Sequence, residues 1–520
     1  MENSDDYRDP DSGSQSPYHP YGDGAGSSSP TAEIVEAELL PDSYPPPHRP
    51  LSLSGYISWL VVLAVTLGIF SIVATSQFLA EEQVGGDAGP IDLMQVQLQG
   101  KFLVGHKELS KMAPGAAATP LPPELDVGCY EQRLCYSILL NETESPTEAI
   151  EYLEDLEGLV EEHGLELTDN QTRLNKIVYE LLGNYESGNP DSDSIPEADR
   201  EFLRDKLDWM GNLALYPSDS PHTSERNALV SQSFTLTVVG AIGVLLALLA
   251  GMTGFALALA FITMLFAGKL KSHFAHHATD HHIYIETFAI WIAIFFGASF
   301  LMQASGLENP TILMMLQPVI FFGSLTALLW PVFRGVSFAQ VKRDIGWTFK
   351  NPFKEIASAV GAYLTLLPFL IPGLILIVLI MTAVGFGSEA PHEFARQAGP
   401  GHPIQEDIMS GNFVTICFVF LATCVAAPVV EETMFRGVLY RHLRDWTASW
   451  QLWSSVGFSA ILNGLIFAAI HPQGLVAIPI LATLAIGFTL TRQWRGSLLA
   501  PMTMHAIHNF LITCVSVLIL

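Results

Sequence analysis

Three short groups of polar residues interrupt the apolar C-terminal part of this chain, and each is of a kind that does chemistry. Glu431-Glu432-Thr-Met-Phe-Arg436 sets two carboxylates side by side, with a guanidinium four residues after the second. Adjacent carboxylates repel each other, the setting in which one becomes a general base. On a continuing helix Arg436 pairs with Glu432 at i,i+4, while Glu431 points to a different face. Phe467-Ala-Ala-Ile-His471 ends an apolar run. In His505-Ala-Ile-His508-Asn509, His505 and Asn509 share a helix face and His508 looks elsewhere. A carboxylate can take a proton from water, imidazoles can hold that water or bind a metal, and Asn509 can donate to a developing oxyanion. Singly, each group has a plain structural explanation. A Glu–Arg pair at a membrane boundary is often topological, a His before Pro472 caps a helix, and Asn509 can simply bond a neighbouring helix. Ionisable groups on three consecutive apolar segments are costly, and together they suggest water-mediated hydrolysis inside a membrane. No Gly-x-Ser-x-Gly elbow, phosphate loop or His-Glu-x-x-His helix competes with this set.

The elements that must position these residues are long apolar runs. They cover roughly 234–266, 287–304, 310–333, 356–385, 412–430, 453–470, 475–491 and 498–520, and Tyr56–Leu79 precedes them as an anchor. Pro368 and Pro372 are expected to kink the fourth run. The stretch 234–266 reads either as one long helix or as two short ones broken at Gly251–Gly254. Three basic clusters are expected in cytoplasmic loops: Arg334, Lys342, Arg343, Lys350 and Lys354; Arg436, Arg441 and Arg444; Arg492 and Arg495. Glu389, Glu393, Glu406 and Asp407 make an acidic loop expected outside. Counting back, Lys269 and Lys271 are inside too. With 234–266 as one helix, the N-terminal tail with Arg49 is cytoplasmic and the segment after the anchor is extracytoplasmic. The expectation is therefore an all-α polytopic membrane protein of about nine transmembrane helices, in a cell (inner) membrane, with an acidic soluble helical insert between the first and second. The divisions are a disordered acidic tail at 1–50, the anchor at 56–79, the insert at 80–232, a transmembrane segment plus His-rich loop at 234–284, and a helical bundle at 285–520.

Composition agrees. Of 520 residues 49% are hydrophobic and 15% charged, and mean hydropathy is +0.34, outside the range of an ordinary soluble enzyme. The formal charge of -27 is uneven. Residues 1–232 hold 40 acids and 12 bases; residues 233–520 hold 12 and 13. Such a surface excludes a nucleic-acid partner, which needs a basic face. Residues 1–50 cannot bury enough apolar surface to offset their ordering entropy. The insert has 30 acids against 10 bases, and helical spacing at Ile150–Val160, Leu174–Tyr185 and Glu197–Leu213 predicts three amphipathic helices. Its Cys129 and Cys135 read equally as a disulfide or as two thiols. His273, His276, His277, His281 and His282 with Asp280 form a His-rich loop, of a type more often incidental than metal-binding.

The ordered set Glu-Glu-x-x-x-Arg, Phe-x-x-x-His and His-x-x-x-Asn resembles the CPBP intramembrane proteases, which include CAAX prenyl endopeptidases and bacteriocin-processing proteins. Ala-Ala-Pro-Val-Val before Glu431 and Gly496-Ser-Leu-Leu-Ala-Pro before the last group are similar as well. The motif core covers 410–520; residues 1–232 match nothing associated with that family. The resemblance implies an intramembrane endopeptidase acting on membrane-embedded or lipid-anchored peptides within the lipid bilayer, its site opening towards the cytoplasm. It implies that Glu431 activates the water with Glu432 beside it, Arg436 orients the glutamates, His471 and His505 complete a water or Zn²⁺ site with Glu431 as third ligand, and Asn509 steadies the oxyanion. Two other readings compete: a non-catalytic scaffold or immunity-type binding protein of the same fold, which would not need both histidines, and a transporter, which would show inverted repeats that the sequence lacks.

Overall fold

Helix is the regular structure throughout the computed structural model, which describes residues 51–78, 87–112, 121–122, 125–275, 280, 282–307, 309–349, 351–383 and 412–519. Outside the described residues lie the tail 1–50 with Arg49, the acidic loop of Glu389, Glu393, Glu406 and Asp407, and His276, His277, His281 and Lys350. Among the described residues nine helices are long and apolar enough to cross a membrane.

The first, α1 (Leu53–Phe78), is followed by α2 (Pro90–Met112), α3 (Tyr130–Thr143), α4 (Pro146–Glu162), α5 (Asp169–Glu186) and α6 (Glu197–Leu215). Helices α4 to α6 stand where the apolar spacing puts them. Local chemistry starts them: Ser145 Oγ accepts from Glu148 N with Pro146 in the first turn, and Thr168 and Gln171 form a capping box. Leu134, Leu139, Leu153, Leu156, Leu174, Leu203, Leu207 and Met210 meet in a core of their own. Cys129 and Cys135 are buried thiols there, not a disulfide.

Next comes α7 (Thr223–Phe266), one unbroken helix of 44 residues. It settles the choice at Gly251–Gly254 in favour of a single element. Its first turns supply Arg226 and Leu229 to the core of α2–α6, and its remainder is a candidate span. Two glycines mark close crossings: a Cβ on Gly105 of α2 would lie 2.3 Å from Ser233 O of α7. One on Gly254 would lie 2.3 Å from Leu364 O of a later helix.

The rest is a bundle of α8 (His282–Ala304), α9 (Pro310–Ser324), α10 (Leu329–Phe333), the short α11 (Phe338–Ile345), α12 (Pro352–Ala383), α13 (Phe413–Trp446), α14 (Leu452–Ala469), α15 (Gly474–Arg495) and α16 (Leu499–Ile519). Pro368 and Pro372 lie inside α12, which runs through them. The main core joins Phe288, Trp291, Val430, Phe435, Val438, Ile466 and Phe467. Val62 of α1 belongs to that core, and Trp59 Nε1 donates to His442 Nε2 at 3.1 Å. The first span is therefore built into the bundle, beyond the role of an anchor.

Two expected basic loops are corrected. The apolar run ending at Val430 continues as helix to Trp446, so Arg436, Arg441 and Arg444 are helical and buried, as is Arg492 within α15. Arg441 Nε donates to Asp445 Oδ2 at 2.5 Å, Arg444 bonds Ser455, and Arg495 forms a bidentate pair with Glu355. Partners of this kind let charged residues extend a buried helix where hydropathy alone ends it.

Candidate active site

Glu431 and Glu432 sit near the middle of α13, not at a helix end. That helix is not uniform: it widens to π geometry over Ala422–Ala426 and again over Glu432–Leu439. Such bulges occur often at functional sites. The first has a readable cause and a readable consequence. Ala427 N donates to Ala422 O five residues back. The next bond in that register would come from Pro428, which has no N–H. Thr423 O is thus left over, and Asn509 Nδ2 of α16 donates to it at 2.7 Å. In the second bulge Phe435 O accepts both Tyr440 N and the side chain of Asn463, whose Nδ2 lies 2.8 Å away.

Around the wider turn the polar groups converge. Arg436 Nη1 donates to Glu432 Oε1 at 3.0 Å, and Nη2 donates to Ala485 O at 3.1 Å. The guanidinium carbon lies 4.6 Å from the Phe467 ring centre, with Phe435 and Phe488 also beside it. Arg436 and Glu432 are wholly buried. His505 Nδ1 is 3.0 Å from the same Glu432 oxygen, and its ring stacks on Phe488. A carboxylate accepts, so Nδ1 carries the hydrogen. His471 Nδ1 is 2.5 Å from Phe467 O, which again accepts. In neutral rings fixed this way, Nε2 is the acceptor nitrogen.

Both Nε2 atoms face Glu431. Glu431 Oε2 lies 3.8 Å from His471 Nε2 and 3.9 Å from His505 Nε2, beyond hydrogen-bond reach of either. That oxygen is buried and has no hydrogen-bond partner, as is Glu432 Oε2. The Glu431 and His471 side chains keep 14% and 18% of their surface exposed, so they are the reachable edge of the cluster. Glu431 Oε2, a buried acceptor with no bond, requires a donor beside it: a water molecule's hydrogen or a cation.

Five of the six residues singled out by sequence therefore come together: Glu431, Glu432, Arg436, His471 and His505. The i,i+4 pairing of Glu432 with Arg436 holds. Arg436 orients Glu432, while Glu431 is faced by the two imidazoles. Asn509 shares with His505 the face of α16 turned to α13, but its bond is to the carbonyl stranded by Pro428. Sequence reading missed Asn463, whose signal was an amide one turn before Phe467 within an apolar run, and Phe488.

Two imidazole nitrogens and a carboxylate oxygen suit Zn²⁺, and each imidazole is anchored through its other nitrogen as a ligating histidine is. The spacing is looser than the chemistry. Among the described residues Asp191, Asp193 and His222 of the insert are a trio whose ligand atoms all lie within 4.8 Å of one another, and Glu431, His471 and His505 are not. An apolar cavity of about 660 Å³ opens between α13, α16 and the start of α12, with Trp347, Val425, Pro428, Met502, Ile507 and Phe510 in its walls and none of the five clustered residues among them.

Residues 413–511 match the family described as type II CAAX prenyl endopeptidase Rce1-like. Over 99 residues the chain is 35% identical to the uncharacterized protein YpbD of Bacillus subtilis (strain 168), a match covering 18% of this chain and 43% of that protein. The chain thus spans less than half the length of the relative it matches. No solved structure matches it.

Proposed function

We propose that this Rce1-like membrane protein is an intramembrane endopeptidase that hydrolyses membrane-embedded or lipid-anchored peptides with a glutamate-activated water. The observation that carries the reading is the unbonded, buried Glu431 Oε2 faced by two imidazole acceptors at 3.8 and 3.9 Å. A water held among the three gives one proton to Glu431 as its oxygen attacks the scissile carbonyl carbon. Glu431 returns that proton to the leaving nitrogen as the C–N bond breaks, leaving a carboxylic acid and an amine. Glu432, held by Arg436, fixes the His505 ring. Asn509 Nδ2 has a second hydrogen besides the one given to Thr423 O, and this is the donor for the oxyanion. Glu431, His471 and His505 are the residues that would hold Zn²⁺, which when bound would polarise the carbonyl as a Lewis acid. The apolar cavity between α13 and α16 takes the hydrocarbon or apolar side chains of the substrate.

The membrane orientation follows from the exposed cations of the loop between α10 and α12. That loop, the α7–α8 connection with Lys269 and Lys271, and the N-terminal tail are cytoplasmic; helices α2–α6 are extracytoplasmic. A cell (inner) membrane is the location this build suits.

The test compares the full-length wild type with Glu431→Gln in detergent against prenylated CAAX peptides and a membrane-peptide library, read by mass spectrometry. Cleavage by the wild type is expected, with the variant slower by about 10²–10⁴-fold. Equal cleavage by both would remove Glu431 from the chemistry. Folded proteins that both leave every peptide intact would favour a non-catalytic scaffold.

A further inference from the structure

The basic cluster that begins at Arg334 differs from the two whose arginines are helical and largely buried. Residues 334–349 form a strap that leads from the end of one candidate span, at Phe333, towards the start of another, at Pro352. A segment bounded by two span ends lies at a membrane face. Within it α11 turns Val341 and Ile345 inward and Lys342 and Arg343 outward. Ser337 Oγ starts the helix by accepting from Gln340 N at 3.2 Å, and Gly346 ends it at φ 84°.

The outward charge is of one sign. Arg334, Lys342, Arg343 and Lys354 are exposed. The nearby acids are not: Asp344 is buried under bonds from Tyr284 and Gln340, Glu355 is buried against Arg495, and Glu286 is buried 3.4 Å from Arg334, which leaves Lys342, Arg343 and Lys354 as the cations no described acid in contact offsets. Beneath the strap, Arg492 packs against Gly346 and is 3% exposed, with Nε and Nη1 unbonded among the described residues. It adds positive potential that no described acid cancels by contact. Large aromatic rings are interleaved with the cations: Phe333 is 78% exposed and Phe353 86%, with Phe338 and Phe349 also exposed. Cations on a polar edge with aromatic rings beside them match the boundary between phospholipid headgroups and acyl chains.

We propose that this strap is a binding surface for anionic phospholipids, the cations taking the phosphodiester groups and the Phe rings entering the acyl boundary. The test releases the full chain from nanodiscs of equimolar phosphatidylglycerol and phosphatidylcholine and counts the retained lipids by native mass spectrometry. This readout is independent of cleavage, so it stands or falls apart from the proposed activity. Wild type is expected to retain phosphatidylglycerol preferentially. Each neutralised cation weakens that retention about fivefold, so Lys342→Gln/Arg343→Gln/Lys354→Gln erases the preference. The charge-conserving Lys342→Arg/Arg343→Lys keeps it. Equal retention of both lipids by the wild type, or an unchanged preference in the neutralised variant, overturns the proposal.

Discussion

Two buried glutamate–arginine pairs, one in the insert and one in the bundle, show how the same side chains serve different ends. In the insert, Glu142 meets Arg226 bidentately at 2.8 and 2.9 Å, and Lys107 Nζ adds a third contact at 3.1 Å. Arg226 also donates to Tyr216 O, and both carboxylate oxygens are used. In the bundle, Glu432 and Arg436 share one bond of 3.0 Å, while Glu432 Oε2 and Arg436 Nε have none. A satisfied pair ties helices α3 and α7 together. A half-satisfied pair has capacity left, and here that capacity lies beside two imidazoles and a second carboxylate. Polar groups left unpaired at a cost are what separates a site from a brace.

Removing each arginine should test that distinction hardest. Arg226→Met leaves buried Glu142 without its bidentate partner, and Arg436→Met leaves buried Glu432 with only the His505 imidazole; each should cost about 3–5 kcal/mol in thermal or denaturant unfolding. Only Arg436→Met should also lower cleavage per folded molecule, because it releases the residue that fixes His505. If Arg226→Met silenced folded protein as well, the two pairs would not differ as described.

A smaller effect is expected at Asn463→Leu. Losing its bond to Phe435 O should cost about 1 kcal/mol and lower kcat with KM little changed, since the bond supports the wide turn rather than the substrate. An unchanged kcat would mean that the turn holds its shape without the amide.

Acid should discriminate next. Burial raises the Glu142 carboxyl, but Arg226 and Lys107 outweigh it and hold its pKa below the usual 4.5. A depressed native pKa contributes stability above the unfolded carboxylate's pKa, and that stability disappears as pH falls through the native value. Hydrogen exchange in α3 and the first turns of α7 should therefore quicken below about pH 4, and Glu142→Gln should flatten this dependence. The smallest signal is a null. Burial pushes the Cys135 thiol well above its ordinary value, so it should resist alkylation until the insert unfolds.

Much of this arrangement was legible in the residues. Nine spans follow from apolar length, and the convergence of Glu431, His471 and His505 was implied by the resemblance to the CPBP proteases. What escaped had physical reasons. Helix α2 carries Gly100 and Gly105, which lower helix propensity but admit Leu139, Trp209 and Ser233 at close range. Helix α3 buries Glu131, Gln132, Arg133 and Glu142 along with its apolar side chains, so no polar stripe marks it. Arg441, Arg444 and Arg492 read as loop charges because hydropathy cannot see the partners that accompany them into the interior. The π turns are invisible to a 3.6-residue period, although Pro428 announced the first.

Helix α7 also makes rotational phase a property of this molecule. A continuous helix of 44 residues is about 66 Å long, with no joint to absorb torsion. Between Gly243 and Gly251 it runs past nothing within 4 Å of either glycine, after its crossing with α2 and before its crossing with α12. One residue added in that stretch would turn everything above it by about 100° relative to the bundle and lift it about 1.5 Å, while seven would restore its bearing almost fully. The azimuth of the acidic insert around the bundle is thus written in a residue count.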